Sequence, residues 1–314
     1  MQQFDIKLYQ SQLKENWNTF LLESNQQTFL FQREFMDYHS DRFHDFSLMI
    51  YHNNNLVALL PANKVDNKVY SHQGLTYGGL IYSGLLDVTD LSNLFQLIIG
   101  FLKEDGVLEL NLKCLPEFQS ENSSMVNNVL TSLNAKLFRS DKVLAIDYNE
   151  PFTIHKSKLK NYRKNQNKGF KIEETGDFSL FWNSVLKPRL KEKHNTSPVH
   201  TLQEIELLKA RFPNNIKQFN IYLEDEILAG ITIFDKGKIV KSQYGATTFK
   251  GERTRALEFL FLFLIYHYKD SGKAYFSMGT VREDNQLGYN PGLLRQKEEL
   301  GCKVYHQNFF RLEL

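Results

Sequence analysis

The sequence predicts an α/β protein built from two successive units. The chain has 314 residues, about twice the length of a usual domain. The same order of strand, helix and hairpin signals runs through both halves, without a residue-level repeat. Each half also holds two apolar runs joined by a short polar turn, at 52–55 and at 224–226, the mark of an antiparallel hairpin.

In the first half, 4–9 alternates as a strand, and 12–24 spaces Leu13, Trp17, Phe20 and Leu21 at helical intervals. The runs 47–51 and 56–63 pair across the first turn. An amphipathic helix over 90–103, a strand over 107–112, a helix over 125–133 and a strand over 142–148 complete the unit, which closes near Asn149-Glu150-Pro151. The second half opens with a strand at 170–174 and helices at 178–193 and 202–212. Its hairpin joins 216–223 to 227–234; a strand at 238–245, a helix at 253–268, a strand at 274–278, a helix at 293–300 and one or two strands over 302–314 follow.

Composition bounds the function. A hydrophobic content of 42%, with 25 Phe and 15 Tyr, supplies a large core, and a net charge of +2 argues against bulk DNA or RNA binding. Cys114 and Cys302 have no metal-like spacing, so neither a disulfide framework nor a metal site is expected. The start MQQFDIKLYQ carries no apolar leader, and the longest oily run, 257–265, includes Glu258 and is too short for a membrane span. The expected location is the cytoplasm, where the acceptor patterns at Asn122 and Asn195 carry no glycan. P-loop, dinucleotide, Ser-x-x-Lys, Gly-x-Ser-x-Gly and His-Glu-x-x-His patterns are absent.

Four stretches stand out. Residues 275–301, YFSMGTVREDNQLGYNPGLLRQKEELG, run from a strand end through a polar loop into a charged helix start, a place where open α/β sheets bind ligands. Residues 70–81, YSHQGLTYGGLI, combine Gly74, Gly78 and Gly79 with Ser71, His72, Thr76 and Tyr77. Residues 36–43 read MDYHSDRF. Residues 155–171 hold seven Lys/Arg and no acid; they read either as a solvated linker helix or as a phosphate clamp.

The 275–301 string resembles the closing motif of acyltransferases with tandem GNAT-type domains, the FemAB-like group, and in particular a branch found with bacterial surface-polysaccharide genes. Gly279, Asn290, Gly292, Leu293, Lys297, Glu298 and Gly301 fit the pattern, with Met278 in place of an aromatic and Leu300 in place of phenylalanine. MDYHSDRF and SHQGLTYGG resemble two further strings of that branch, so the likeness covers most of the chain. It implies two tandem GNAT-like domains with mixed central sheets, 1–152 and 153–314, the second opening with a basic linker helix at 155–169. No long helical arm follows that helix, unlike the tRNA-using peptidoglycan-bridge members.

The implied activity is transfer of an acyl or aminoacyl group to an amino group of a nucleotide-linked or lipid-linked glycan precursor. The donor is acyl-CoA, with aminoacyl-tRNA as the alternative. A catalytically silent glycan- or protein-binding module is the reading of a different class. Lys297 takes charge stabilisation at the acyl carbonyl or a substrate phosphate, against the plainer role of a surface lysine paired with Glu298 or Glu299. His72, then His39, are the candidate bases, with substrate-assisted deprotonation as the alternative. Tyr244, in SQYGAT, is the third catalytic candidate. His39, Arg42, Thr76, Tyr77, Gly78, Gly79, Lys160, Arg163, Asn290, Arg295 and Glu298 are expected to bind substrate. One element departs from the acyl-CoA pattern: residues 243–251, QYGATTFKG, do not match the glycine-rich pyrophosphate turn.

Overall fold

The structure is a computed structural model and describes residues 4–24, 26–82, 84, 86–120 and 122–314. In chain order the elements are β1 (Phe4–Leu8), α1 (Lys14–Glu23), α2 (Arg33–Met36), β2 (Leu48–His52), β3 (Asn55–Leu60), β4 (Asn63–Val65), β5 (Lys68–Ser71) and β6 (Ile81–Tyr82). Then come α3 (Val88–Glu104), β7 (Glu109–Lys113), α4 (Ser123–Ser132), β8 (Lys136–Asp147), α5 (Lys156–Asn165), β9 (Phe170–Thr175), α6 (Ser179–Phe181), α7 (Lys187–His194) and α8 (Leu202–Arg211). The chain ends with β10 (Ile216–Leu223), β11 (Glu226–Asp235), β12 (Ile239–Thr247), α9 (Phe249–Thr254), α10 (Ala256–Asp270), β13 (Tyr275–Thr280), α11 (Pro291–Glu299) and β14 (Lys303–Glu313).

Two compact units result: Met1–Lys142 with Tyr305–Leu314, and Val143–Val304. The sequence reading ends the second unit at 314. Instead the last residues count with the first, because β14 pairs antiparallel with β7 from Phe309↔Lys113 to Glu313↔Glu109.

In the first unit β1, β2, β3 and β6 form an antiparallel sheet, and β4, β5, β7 and β14 lie side by side in mixed pairing, with β5–β7 parallel. Helix α3 follows from its pattern: Leu91, Leu94, Phe95, Ile98 and Leu102 share one buried stripe, and the Asp87 side chain caps the helix by accepting from the Asp90 amide. The β4–β5 hairpin and β6 are additions to the sequence reading.

In the second unit the strands run β8, β13, β12, β11, β10, β9. Every neighbouring pair for which a register is defined is antiparallel except β12–β13. Helix α10 carries seven buried residues, Leu260, Leu262, Leu264 and Ile265 among them, and packs on β11 and β12. The single helix expected over 253–268 is two, α9 and α10, broken at Arg255 in the left-handed conformation (φ +59°). Likewise the helix expected over 178–193 passes through a π-helical segment, Trp182–Leu186, before α7.

Candidate functional site

Both units contain one parallel strand pair joined through a long helix, β5–α3–β7 and β12–α10–β13, and in each the pair separates after a few residues. Where adjacent parallel strands part, backbone N–H and C=O groups lose their ladder partners and must find others.

In the second unit the ladder runs Ile239↔Tyr275, Val240↔Phe276, Lys241↔Ser277 and stops, while β12 continues to Thr247 and β13 to Thr280. Lys297, on α11, fills one side of the gap. Its ammonium donates to the carbonyls of Met278 (2.7 Å), Thr280 (2.9 Å) and Gly279 (3.3 Å), which engages all three of its N–H groups. Asn290 sets this geometry up by capping α11: its Oδ1 accepts from the Leu293 amide at 2.8 Å, and its amide donates to Glu283. Gly279, at φ +71°, makes the turn at the strand end.

Lys241 lies beside the gap. It is 9% exposed, its ammonium donates to Gln243 Oε1 at 2.6 Å, and its Cε sits 3.7 Å from where a Cβ on Gly279 would be. Burial and then the Lys297 charge pull Lys241 down to about 8; burial does the same to Lys297. Lys236, also buried, is pushed well down by burial and by Lys241. Sequence reasoning missed Lys241, because a lysine within KIVKSQ reads as the solvent side of an alternating strand.

Tyr244 is held by neighbours within its own unit. Its hydroxyl meets the Nδ1 (2.5 Å) and the backbone amide (3.2 Å) of His200, and its ring packs edge-on against Trp182. Arg295 and Glu298 are exposed on α11, and Arg295 pairs with Glu299 at 3.0 Å.

In the first unit the gap after Ser71↔Leu112 is taken up by the glycine-rich loop. Ser71 Oγ accepts from the Gly79 and Lys113 amides, and Lys113 donates to the carbonyls of Leu75 (2.6 Å) and His72 (3.3 Å). A Cβ at Gly78 would lie 1.4 Å from the Ser71 oxygen, which explains the glycine. His39 and His72 stack with centroids 5.6 Å apart and planes 7° apart, and Phe43 packs on both. His39 Nε2 donates to Gly74 O at 3.2 Å, while His72 Nδ1 accepts from the Gly74 amide at 3.1 Å. The neutral His72 ring therefore carries its proton on Nε2, with its one lone pair engaged. Burial, helped by His39, lowers His72 to about 3. In this geometry His72 is neutral, and its ring acceptor is engaged by the Gly74 amide. Tyr77 is buried, Thr76 O accepts from Gln307, and Arg42 lies over the Tyr38 ring. His39, Arg42, His72 and residues 76–79 come together in this unit; Lys297, Asn290, Arg295 and Glu298 come together on α11.

The basic stretch forms α5, a ten-residue helix on α10. Lys158 is the buried member, paired with Glu258 (2.7 Å) and Glu299 (3.4 Å), while Lys160 and Arg163 are exposed. An open cavity of about 660 Å³ in the second unit is lined by residues 148–154, Leu159, Tyr266 and Lys269, none of them a predicted site residue. Among the described residues no group of three or more His, Cys, Asp or Glu could hold a metal, and no helix is long and apolar enough to cross a membrane.

The helix starts that would hold a diphosphate do not fit one. The α3 start presents Asp87 and Asp90. The α9 start is six residues long, its Gly251 amide is taken by Thr248 Oγ1 at 3.0 Å, and Gly251 is glycine because a Cβ would strike Leu228 O at 2.2 Å.

Among solved structures the chain aligns with FemX over 99% of its own length and 97% of that chain, at a TM-score of 0.71 and 10% identity. The fold is the tandem GNAT fold. A tandem GNAT protein from the clavulanic acid biosynthesis pathway superposes over 99% of this chain and 98% of that one (TM-score 0.53, 8% identity). L-PGS from Bacillus licheniformis matches over 94% and 90% (TM-score 0.64, 14% identity). No protein-family model and no curated protein matches the sequence. Within the tandem GNAT fold, the mixed sheets and the parallel pair of each unit agree with the expected fold class.

Proposed function

We propose that the protein is an N-acyltransferase that moves an acyl or aminoacyl group onto an amino group of a cell-surface glycan precursor, nucleotide-linked or lipid-linked. One observation carries this reading: the β12–β13 gap, with the Lys297 ammonium fixed at its edge on three carbonyls. Attack of an amine on an acyl carbonyl builds negative charge on oxygen, and a preorganised positive charge in a buried setting lowers that barrier. Because its N–H groups are engaged, Lys297 acts through its charge, not through a new hydrogen bond. Beyond Lys241 the edge of β12 facing the gap has no partner strand among the described residues. Those backbone groups suit an extended, amide-bearing donor arm, laid down as an added strand. The substrate or water takes the proton from the attacking amine; the His72 lone pair is already engaged by the Gly74 amide.

An acyl-CoA donor suits the open edge, but its diphosphate finds no fitting helix start. That mismatch supports a second reading, an aminoacyl ester donor such as aminoacyl-tRNA, and gives what support there is for a glycan-binding module without turnover. Thermal stabilisation tests the set. A ligand that binds the folded state raises the melting temperature, so acyl-CoAs, UDP-amino sugars and aminoacyl-tRNA are each compared on wild type and Lys297→Met. A shift with a donor that Lys297→Met weakens supports acyl transfer and selects the donor. A shift with glycan alone, identical in both proteins, selects the binding module.

A further inference from the structure

Lys241 and Lys297 are two largely desolvated ammonium groups beside one gap, and no carboxylate lies within 4.0 Å of either among the described residues. Buried cations are ordinarily paired, and the ion pairs elsewhere in this unit follow that rule, Lys158 with Glu258 and Glu299, Lys273 with Asp235. Lys297 spends its donors on carbonyls. Lys241 spends one, on Gln243, and keeps two without a partner among the described residues. Its position opposite Ser277 puts it at the last rung before the strands part.

We propose that Lys241, backed by the charge of Lys297, is an anion site that holds a phosphate group of one of the two substrates. The inference rests on reading the β12–β13 gap as the place of acyl transfer. The missing counter-ion is then supplied by the ligand, and the low-dielectric setting that disfavours two like charges strengthens their hold on an anion. Burial brings both lysines down to about 8, with the Lys297 charge adding to the lowering at Lys241, which fits a pair whose charge is balanced only in the complex.

The test is calorimetric titration of inorganic pyrophosphate at pH 7, which needs no turnover. Wild type binds; Lys241→Met weakens binding at least about tenfold, and Lys241→Arg keeps it within about threefold, as expected for a charge-assisted contact. Competition then assigns the source: displacement by a UDP-sugar places the phosphate on the acceptor, displacement by coenzyme A on the donor. The inference is overturned if wild type does not bind pyrophosphate, if Lys241→Met binds it equally, or if neither competitor displaces it. Should Lys241→Met still transfer acyl groups at the wild-type rate, this site falls while the acyltransferase reading stands. Should pyrophosphate bind as expected with no acyl transfer to any amine, the reverse holds.

Discussion

Replacing Lys241 by methionine should stabilise the protein, and by an amount that depends on pH in a defined direction. Burial and the Lys297 charge hold Lys241 at about 8 against an ordinary 10.5, a difference of about 2.5 units or roughly 3 kcal/mol. For a cation lowered in the folded state, the unfolded chain binds more protons between the two values, so stability rises with pH from about 8 to 10.5. Below pH 8 the cost of the buried charge is present in full. Methionine fills nearly the same volume and forfeits one hydrogen bond, to Gln243, worth about 1 kcal/mol. The net expectation is a gain of about 2 kcal/mol at pH 7 that disappears by pH 10.5. Urea unfolding at both pH values measures it. The chain has two tryptophans, Trp17 in the first unit and Trp182 in the second, so a Trp17→Phe background lets Trp182 emission report on the second unit. A lower midpoint for Lys241→Met at pH 7, or the same difference at both pH values, would show that Lys241 carries no buried-charge cost. A stabilising change at a buried polar residue is what a functional site predicts.

Other outcomes follow from the same geometry. His72, held near 3 against 6.5 by burial, stays neutral in the folded state while the unfolded chain takes up a proton. Stability is therefore lost as pH falls from 6.5 towards 3, by up to roughly 5 kcal/mol; His72→Gln, followed by circular dichroism in acid titration, should flatten that loss. Gly78→Ala puts a methyl against the Ser71 carbonyl and should cost more than about 3 kcal/mol, visible as a large fall in melting temperature. Lys158→Met strips Glu258 and Glu299 of their buried partner and should cost about 3 kcal/mol in urea, whereas Lys160→Met, on the exposed side of α5, should change stability by less than about 0.5 kcal/mol.

Much of the fold is legible because the apolar pattern agrees with it. The β10–β11 hairpin matches its residues closely, and Glu224, at φ +56°, takes the tight turn that the acidic trio announces. The β4–β5 hairpin is not legible: Asn63, Lys64, Asp66, Asn67 and Lys68 read as loop, and the pairing is fixed by β7. The break at Arg255 is hidden because arginine is a good helix former and nothing local announces a left-handed residue. For the site, the 275–301 motif led to Lys297 and Asn290, and both hold the strand end, but the three carbonyls that Lys297 binds are set by how β13 leaves β12. Lys241 is illegible for the same reason, since its burial comes from elements far along the chain. Tyr244 and His72 are polar residues whose partners, His200 and the Gly74 amide, decide their chemistry.

In the proposed reaction an acyl group passes to an amine beside the β12–β13 gap. Mass spectrometry of the products tests it most directly, with UDP-amino sugars as acceptors and acyl-CoA or aminoacyl-tRNA as donors, for wild type and Lys297→Met. Wild type should yield an acceptor heavier by one acyl or aminoacyl group, formed at least about a hundredfold more slowly by Lys297→Met. Equal rates for the two proteins, or an acceptor that binds wild type and is never acylated, would contradict it.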